Sequence, residues 1–438
     1  MKKIGIGLLG LGTVGQGVAN IISNPDGRHP LVEELKLVGI AVKDLKKKRD
    51  FAINNSILTT NPQEIINSPD VQIVVEVIGG IEPARSLILE AIRAGKSIVT
   101  ANKAVIARHG KEIANEAKAA GVYVLIEAAV GGGIPIIEPL KQSLGGNQIT
   151  KVSGIINGTT NYILSRMDKE GAAYDDVLKD AQELGYAESD PAADVEGLDA
   201  ADKIAILSGL AFGGTIKRSD IPTVGINLLE EIDVTYAKQL GYGIKLLAIS
   251  EKGTTQIENG KSLPLSVWVE PTLVPGDHPL SGVNGVNNAI LVEGDPIGQV
   301  MFYGPGAGSG PTASAVLADI LNIAGIESMS KDKTSSLDPL LSAESWRTCH
   351  VADENEIIKK YYIRLIAEDT PGVIGQIGTL LGKREISIES IVQFDASNSE
   401  AEIVVITHRI KQGQLKEALI DIKNLREIKK IAATMGCL

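Results

Sequence analysis

Aromatic residues make up only 3% of this 438-residue chain, so its cores must rest on Val, Ile, Leu and Ala, as in parallel-sheet α/β proteins. Cysteine is nearly absent. Cys349 and Cys437 lie too far apart in sequence to suggest a disulfide framework, and no Cys/His cluster is present to hold zinc. Positive charge is in deficit, and a net charge of −11 disfavours general binding to nucleic acid or to an anionic membrane. No apolar run reaches membrane-spanning length and no signal peptide precedes the first apolar segment, which predicts a cytoplasmic protein. A chain this long exceeds what one core ordinarily organises, so two or three domains are expected. Glycine is the residue in surplus. Many of the 47 are clustered, as in loops that let a ligand approach the backbone.

The first cluster follows a short apolar strand ending at Leu9. Gly10-Leu11-Gly12-Thr13-Val14-Gly15 then opens a helix, QGVANIIS. A GxGxxG between strand and helix is where a dinucleotide pyrophosphate binds. Gly10 suits the tight turn, Gly12 the approach of phosphate, and Gly15 the close packing of helix on strand. The helix N-terminus adds amide donors and partial positive charge. A second strand, KLVGIAV, ends in Lys43-Asp44, a cation beside an acid where an NAD site would place a lone acid. A basic group there accommodates a 2′-phosphate, so NADP, or both cofactors, is expected. The run Lys46 to Arg49 reads more simply as a solvated helix start.

Strand and helix continue to alternate. Val71 to Val77 is a strand, followed by Gly79-Gly80 and a helix from Pro83 to Ala94. Ser97 to Thr100 is the next strand, with Ala101-Asn102-Lys103 at its carboxyl end, the ligand-binding edge of open α/β sheets. Lys103 is therefore either a site lysine or a surface lysine beside a turn. A helix from His109 to Ala120 and a strand, VYVLIEAAV, complete the pattern. Glu127 and the turn Val130-Gly131-Gly132-Gly133-Ile134-Pro135 follow. This is either a hinge or a set of backbone carbonyls suited to a hard monovalent cation. A helix (IIEPLKQSL) and a strand (KVSGIIN) lead to Gly158-Thr159-Thr160-Asn161, read as a substrate-facing turn.

The segment Ala181 to Lys203, AQELGYAESDPAADVEGLDAADK, is crowded with carboxylates and runs into an apolar helix, KIAILSGLAF. Asp199, Lys203, Ile206 and Leu210 share one helical stripe, so the Asp199–Lys203 pair points where the helix turns apolar. A lysine held there beside acids is a candidate site residue; a helix-surface ion pair is the other reading. Beyond it, a helix (VTYAKQLGYGIKLLA) and several strands are expected, then Gly304 to Gly308 before a helix from Pro311 to about Ala324. Residues from about Glu327 to Asn355 read as an irregular linker. The tail repeats strand, helix, strand, strand, helix, strand, a ferredoxin-like unit.

These stretches together resemble homoserine dehydrogenases over nearly the whole length. The carriers are GLGTVG at Gly10–Gly15, TANK at Thr100–Lys103, EAAVGGGIP at Glu127–Pro135 and INGTTNYIL at Ile156–Leu164. Most specific are Ala181, Gly185, Tyr186, Ala187, Asp190, Pro191, Asp194, Val195, Gly197, Asp199 and Lys203, which fill the family signature without a gap. The tail, with Asp369-Thr370-Pro371-Gly372-Val373 in its first turn, resembles ACT domains.

The resemblance implies reversible, NAD(P)-dependent interconversion of L-homoserine and L-aspartate 4-semialdehyde. It implies Lys203 as general acid/base with Asp199 and Lys103 beside the chemistry, and substrate held by Glu188, Asp194, Asp199 and Gly185. Leu11, Thr13, Val14, Gly79, Thr100, Lys103, Gly185, Glu188 and Gly308 join Gly10, Gly12, Gly15 and Lys43 in the cofactor set. Glu127, Val130, Gly132 and Ile134 become a monovalent-cation site, for sodium. The fold implied is α/β: a Rossmann-type domain (1–134 with about 305–326), a mixed α+β substrate and dimerisation domain (135–304), a linker (327–355) and an ACT domain (356–438). A homodimer or homotetramer and threonine as effector are expected. Two rivals stand beside this reading. A non-catalytic dinucleotide and amino-acid sensor has no need of Lys203, and an acylating semialdehyde dehydrogenase needs a catalytic cysteine, whereas Cys349 falls in the expected linker.

Overall fold

The computed structural model describes residues 3–47, 54–253, 263–329, 348–395 and 400–438. The chain divides into two compact units. One contains Met1–Val152, Asp202–Asp220 and Asn287–Cys349, the other Ser153–Ala201, Ile221–Val286 and His350–Leu438.

In the first unit six strands form one sheet: β1 (Ile4–Leu9), β2 (Leu35–Ala41), β3 (Leu58–Thr59), β4 (Ile73–Glu76), β5 (Ser97–Thr100) and β6 (Val124–Leu125). Their order is β3-β2-β1-β4-β5-β6, every pair parallel, which is the Rossmann order. Alternation along the strands builds a core on each face. Ile6, Leu8, Ile73 and Val75 meet Val18 of helix Thr13–Ser23 and Val316 and Ile320 of helix Ser309–Met329. Leu9, Val74 and Ile98 meet Leu87 and Ile92 of helix Ala84–Arg93, and Val105 and Ile113 of helix Lys103–Ala120. The strand order reverses between β1 and β4, so their carboxyl ends open the crevice where such sheets bind ligands.

In the second unit strands run in the order Tyr242–Lys252, Leu263–Pro275, Ile428–Cys437, Ile358–Glu368, Glu400–Thr407, Ile388–Asp395. The tail is βαββαβ as expected. Its helices Val373–Lys383 and Gln412–Lys423 bury Ile377, Leu381, Leu415 and Ile422 against Ile363, Leu365, Ile403 and Val405.

Several element boundaries differ from the sequence reading, each for a local reason. The helix expected over VTYAKQLGYGIKLLA stops at Gln239, because Gly241 adopts φ +83, and the buried run after it is a strand. An unbroken apolar stretch does not distinguish a buried strand from a buried helix. The Gly158–Asn161 turn is instead the first turn of helix Gly158–Glu170, with Thr160 and Asn161 each 1% exposed. VYVLIEAAV contributes only two strand residues before a 3-10 turn at Glu127–Ala129. The helix expected from His109 starts at Lys103, where the Asn102 side chain accepts from the Val105 amide at 3.2 Å. Of the expected linker, residues 330–347 lie outside the described residues, as do Lys48 and Arg49 of the basic run. At its far end Cys349–Val351 is a strand, and the buried Cys349 Sγ lies 3.6 Å from the Phe212 carbonyl oxygen.

Candidate active site

At the mouth of the Rossmann crevice, Gly10 has φ +102, a conformation L side chains rarely adopt. A side chain at Gly15 would start 2.3 Å from the Gly10 carbonyl oxygen, whereas at Gly12 nothing stands within 4 Å. The loop is thus closed where helix must meet strand and open where a phosphate must approach. Helix Thr13–Ser23 carries no acidic residue in its first turn to oppose an anion. This is the fit a dinucleotide pyrophosphate requires. Across the loop, Ser309 Oγ donates to the Thr13 carbonyl at 2.8 Å, one residue after Gly308, whose φ is +121.

One residue that the sequence reading does not single out organises the same edge. Glu76 is fully buried at the end of β4. Its Oε1 accepts from the amides of Ile78 (2.8 Å) and Gly79 (3.4 Å), and its Oε2 from Thr100 Oγ1 (2.6 Å). Thr100 Oγ1 in turn accepts from the Asn102 amide at 3.0 Å, and Asn102 Nδ2 donates to the Gly80 carbonyl at 2.7 Å. A single carboxylate therefore ties together the loops after β4 and β5, and the Thr100 hydroxyl is spent on that tie. Lys103, half-buried, starts the helix that Asn102 caps. Lys43 is exposed two residues past β2, and the neighbouring Asp44 Oδ1 accepts from the Lys46 amide at 2.8 Å.

Glu127 is 2% exposed, and its carboxylate is committed to the chain that follows it. Oε1 accepts from Ile136 (2.6 Å) and Ile137 (2.9 Å), Oε2 from Glu138 (2.7 Å). Burial raises its pKa against the pull of those three amides. Its own amide donates to Asp319 Oδ2 at 2.8 Å, and the fully buried Asp319 is pushed well above the carboxylate range by desolvation and by Glu127. Gly131 and Gly132 have φ +76 and +56, and a side chain at Gly132 would start 2.3 Å from the Gly306 carbonyl oxygen. Among the described residues, no hydrogen bond ends on the carbonyl oxygens of Val130, Gly132 or Ile134. Backbone oxygens left unengaged in a glycine-shaped turn fit a hard cation, and carboxylate oxygens of Glu127, Glu138 and Asp319 also lie within 4.8 Å of one another.

In the second unit two acids of the signature, Asp194 and Asp199, meet at Asn157. Its Nδ2 donates to Asp194 Oδ1 at 2.7 Å and to Asp199 Oδ2 at 2.9 Å. Thr159 Oγ1 lies 2.6 Å from the Tyr186 carbonyl and 3.1 Å from Asp194 Oδ2. Gly185, φ +76, and Glu188 are exposed in the loop between helices Tyr174–Glu183 and Ala192–Val195. Asp190 Oδ1 accepts from the Ala192 amide at 3.2 Å, a structural use of that acid.

Helix Leu198–Phe212 starts before Lys203, so Asp199 and Lys203 lie one turn apart on it, 5% and 9% exposed. Such burial is incompatible with a solvated surface pair. Asp202 instead faces arginines, with oxygens 3.6 Å from Arg218 Nε and 3.9 Å from Arg108 Nη2.

Comparison with known proteins bears on these features directly. Residues 10–127 match the family model "Homoserine dehydrogenase, NAD binding domain", residues 135–321 the model "Homoserine dehydrogenase", and residues 361–427 the ACT domain. The homoserine dehydrogenase of Synechocystis sp. is 53% identical over 433 residues, 99% of each chain. A crystal structure of a homoserine dehydrogenase from Thiobacillus denitrificans superposes with TM-score 0.88 at 40% identity, covering 100% of this chain and 99% of that one. A hyperthermophilic archaeal homoserine dehydrogenase in complex with NADPH gives TM-score 0.60 at 29% identity, over 74% of this chain and 98% of that one. With its Rossmann sheet, filled acid-and-lysine signature and C-terminal ACT domain, the chain belongs to the homoserine dehydrogenases, a family of NAD(P)-dependent oxidoreductases.

Proposed function

We propose that this enzyme interconverts L-homoserine and L-aspartate 4-semialdehyde with Lys203 as its general acid/base. The observation that carries the reading is a lysine 9% exposed, one turn after a buried aspartate, on the helix that ends the family signature. Bound NAD(P) supplies the hydride acceptor, or in reverse the donor. As hydride leaves the alcohol carbon, Lys203 as free amine takes the hydroxyl proton. In reduction its ammonium returns that proton to the carbonyl oxygen, where negative charge develops. Glu188, Asp194, Asp199 and the backbone at Gly185 hold the substrate, and carboxylates are the groups suited to its ammonium and hydroxyl. Lys103 stands beside the reacting carbon.

The cofactor is held by Gly10 to Gly15, Gly79, Thr100, Lys103, Gly185, Glu188 and Gly308. Lys43 meets the 2′-phosphate, which favours NADP. Carbonyl oxygens of Glu127, Val130, Gly132 and Ile134 hold a sodium ion that fixes the turn. The functional division proposed is 1–134 with about 305–326, 135–304, a linker over 327–355, and 356–438, bounds distinct from those of the two compact units. The exposed apolar side chains Met301 and Tyr303, on strand Gly298–Pro305, support a homodimer or homotetramer. The ACT domain favours threonine as feedback effector, and no helix among the described residues is long and apolar enough to cross a membrane, in keeping with a cytoplasmic enzyme. The test is absorbance at the nicotinamide band with homoserine and NAD or NADP in parallel, with and without threonine. Homoserine-dependent reduction, faster with NADP and slowed by threonine, is expected; no reduction with either cofactor contradicts the activity.

A further inference from the structure

We propose that Asn157 is a positioning residue of the substrate site, its amide setting the spacing of the Asp194 and Asp199 carboxylates. The inference rests on the reading of those two acids as substrate ligands and adds a group that does not itself touch substrate. Asn157 is 5% exposed, two residues beyond strand Gln148–Ile155. Its Oδ1 is spent on the helix that follows, accepting from the Thr160 amide at 2.9 Å and from Thr160 Oγ1 at 3.0 Å. That bond decides which way the amide faces. The opposite flip would turn a carbonyl oxygen toward two carboxylates and an NH2 toward a backbone N–H, three partners in conflict. In the orientation present, the two hydrogens of Nδ2 serve one carboxylate each, at 2.7 and 2.9 Å. Two carboxylates bound to one amide nitrogen repel each other. A neutral double donor between them offsets the repulsion without forming a salt bridge that would compete with the substrate's ammonium. The second oxygen of Asp194 lies 3.1 Å from Thr159 Oγ1, so both Asp194 oxygens face residues at the start of helix Gly158–Glu170.

Helix capping alone is the competing role, and substitution separates the two. Asn157→Asp keeps size and the capping oxygen but puts an acceptor where the donor stood; Asn157→Ser keeps a capping oxygen and removes the double donor. Each variant is measured as full-length protein beside Lys203→Ala. For positioning, we expect KM for homoserine to rise at least tenfold in Asn157→Asp and severalfold in Asn157→Ser. Kd for NADPH, by fluorescence titration, stays within twofold of wild type. If KM stays within twofold in the variants that fold while Lys203→Ala abolishes turnover, the positioning role is wrong. Equal loss of cofactor and substrate affinity also overturns it, since that marks a fold defect. If Lys203→Ala keeps its turnover, the site reading beneath the proposal falls instead.

Discussion

Arg364 Nε donates to Asp233 Oδ1 at 2.7 Å, and both side chains are 1% exposed. The arginine lies on strand Ile358–Glu368 and the aspartate in the first turn of helix Glu231–Gln239. Arg364 also reaches Glu230 Oε2 at 2.9 Å and Glu402 Oε2 at 3.2 Å, and Tyr362 Oη lies 3.4 Å from Asp233. Removing one partner of a buried ion pair strands the other charge, which costs about 3–5 kcal/mol. Asp233→Ala is therefore expected to lower unfolding stability by roughly that amount, less what Glu230 and Glu402 retain. Urea denaturation checks this; a loss under about 1 kcal/mol, the range of an exposed pair, contradicts it.

Lys245 gives a pH signature. It is 4% exposed, and burial lowers its pKa from 10.5 to about 8. Its Nζ donates to the Val283 carbonyl at 2.6 Å and to Asn284 Oδ1 at 3.1 Å. Between about 8 and 10.5 the unfolded chain binds the proton that the folded chain has lost, so this group makes stability rise with pH across that window. Lys245→Met removes the contribution, on the order of 3 kcal/mol for the full window. Denaturation midpoints for both proteins at pH 7.5 and pH 10 should diverge; parallel changes would show that Lys245 is ordinarily charged in the folded state.

Lys43 tests cofactor choice. It is exposed just past β2, where a Rossmann fold reads the ribose 2′ position, and is proposed to meet a 2′-phosphate. Lys43→Ala should weaken NADP binding about tenfold, one lost charge-assisted contact, and leave NAD nearly unchanged. An unchanged ratio of the two dissociation constants would mean that another group reads the phosphate.

Much of this was legible in the residues. GLGTVG between strand and helix marked the Rossmann crevice, and the βαββαβ rhythm of the tail marked its fold. The stripe Asp199, Lys203, Ile206 marked a buried pair, and both residues are buried. What escaped was long-range or capping chemistry. Glu76 ends an apolar strand just as Glu127 follows one, yet only its partners Ile78, Gly79 and Thr100 reveal it as a tie between loops. Asn157 stood one residue before a segment taken for a turn. An Asn three residues ahead of Thr160 is an N-cap signal, and it would have predicted a helix there. Asp233 and Arg364 are 131 residues apart, and no local pattern pairs them.

Steady-state turnover of Lys203→Ala with homoserine and NADP, with NADPH affinity measured on the same sample, decides whether Lys203 moves the proton. If it does, kcat falls at least a hundredfold, the low end of what a positioned acid/base supplies, with Kd for NADPH within about twofold of wild type. A variant that keeps more than about a tenth of wild-type kcat contradicts that role.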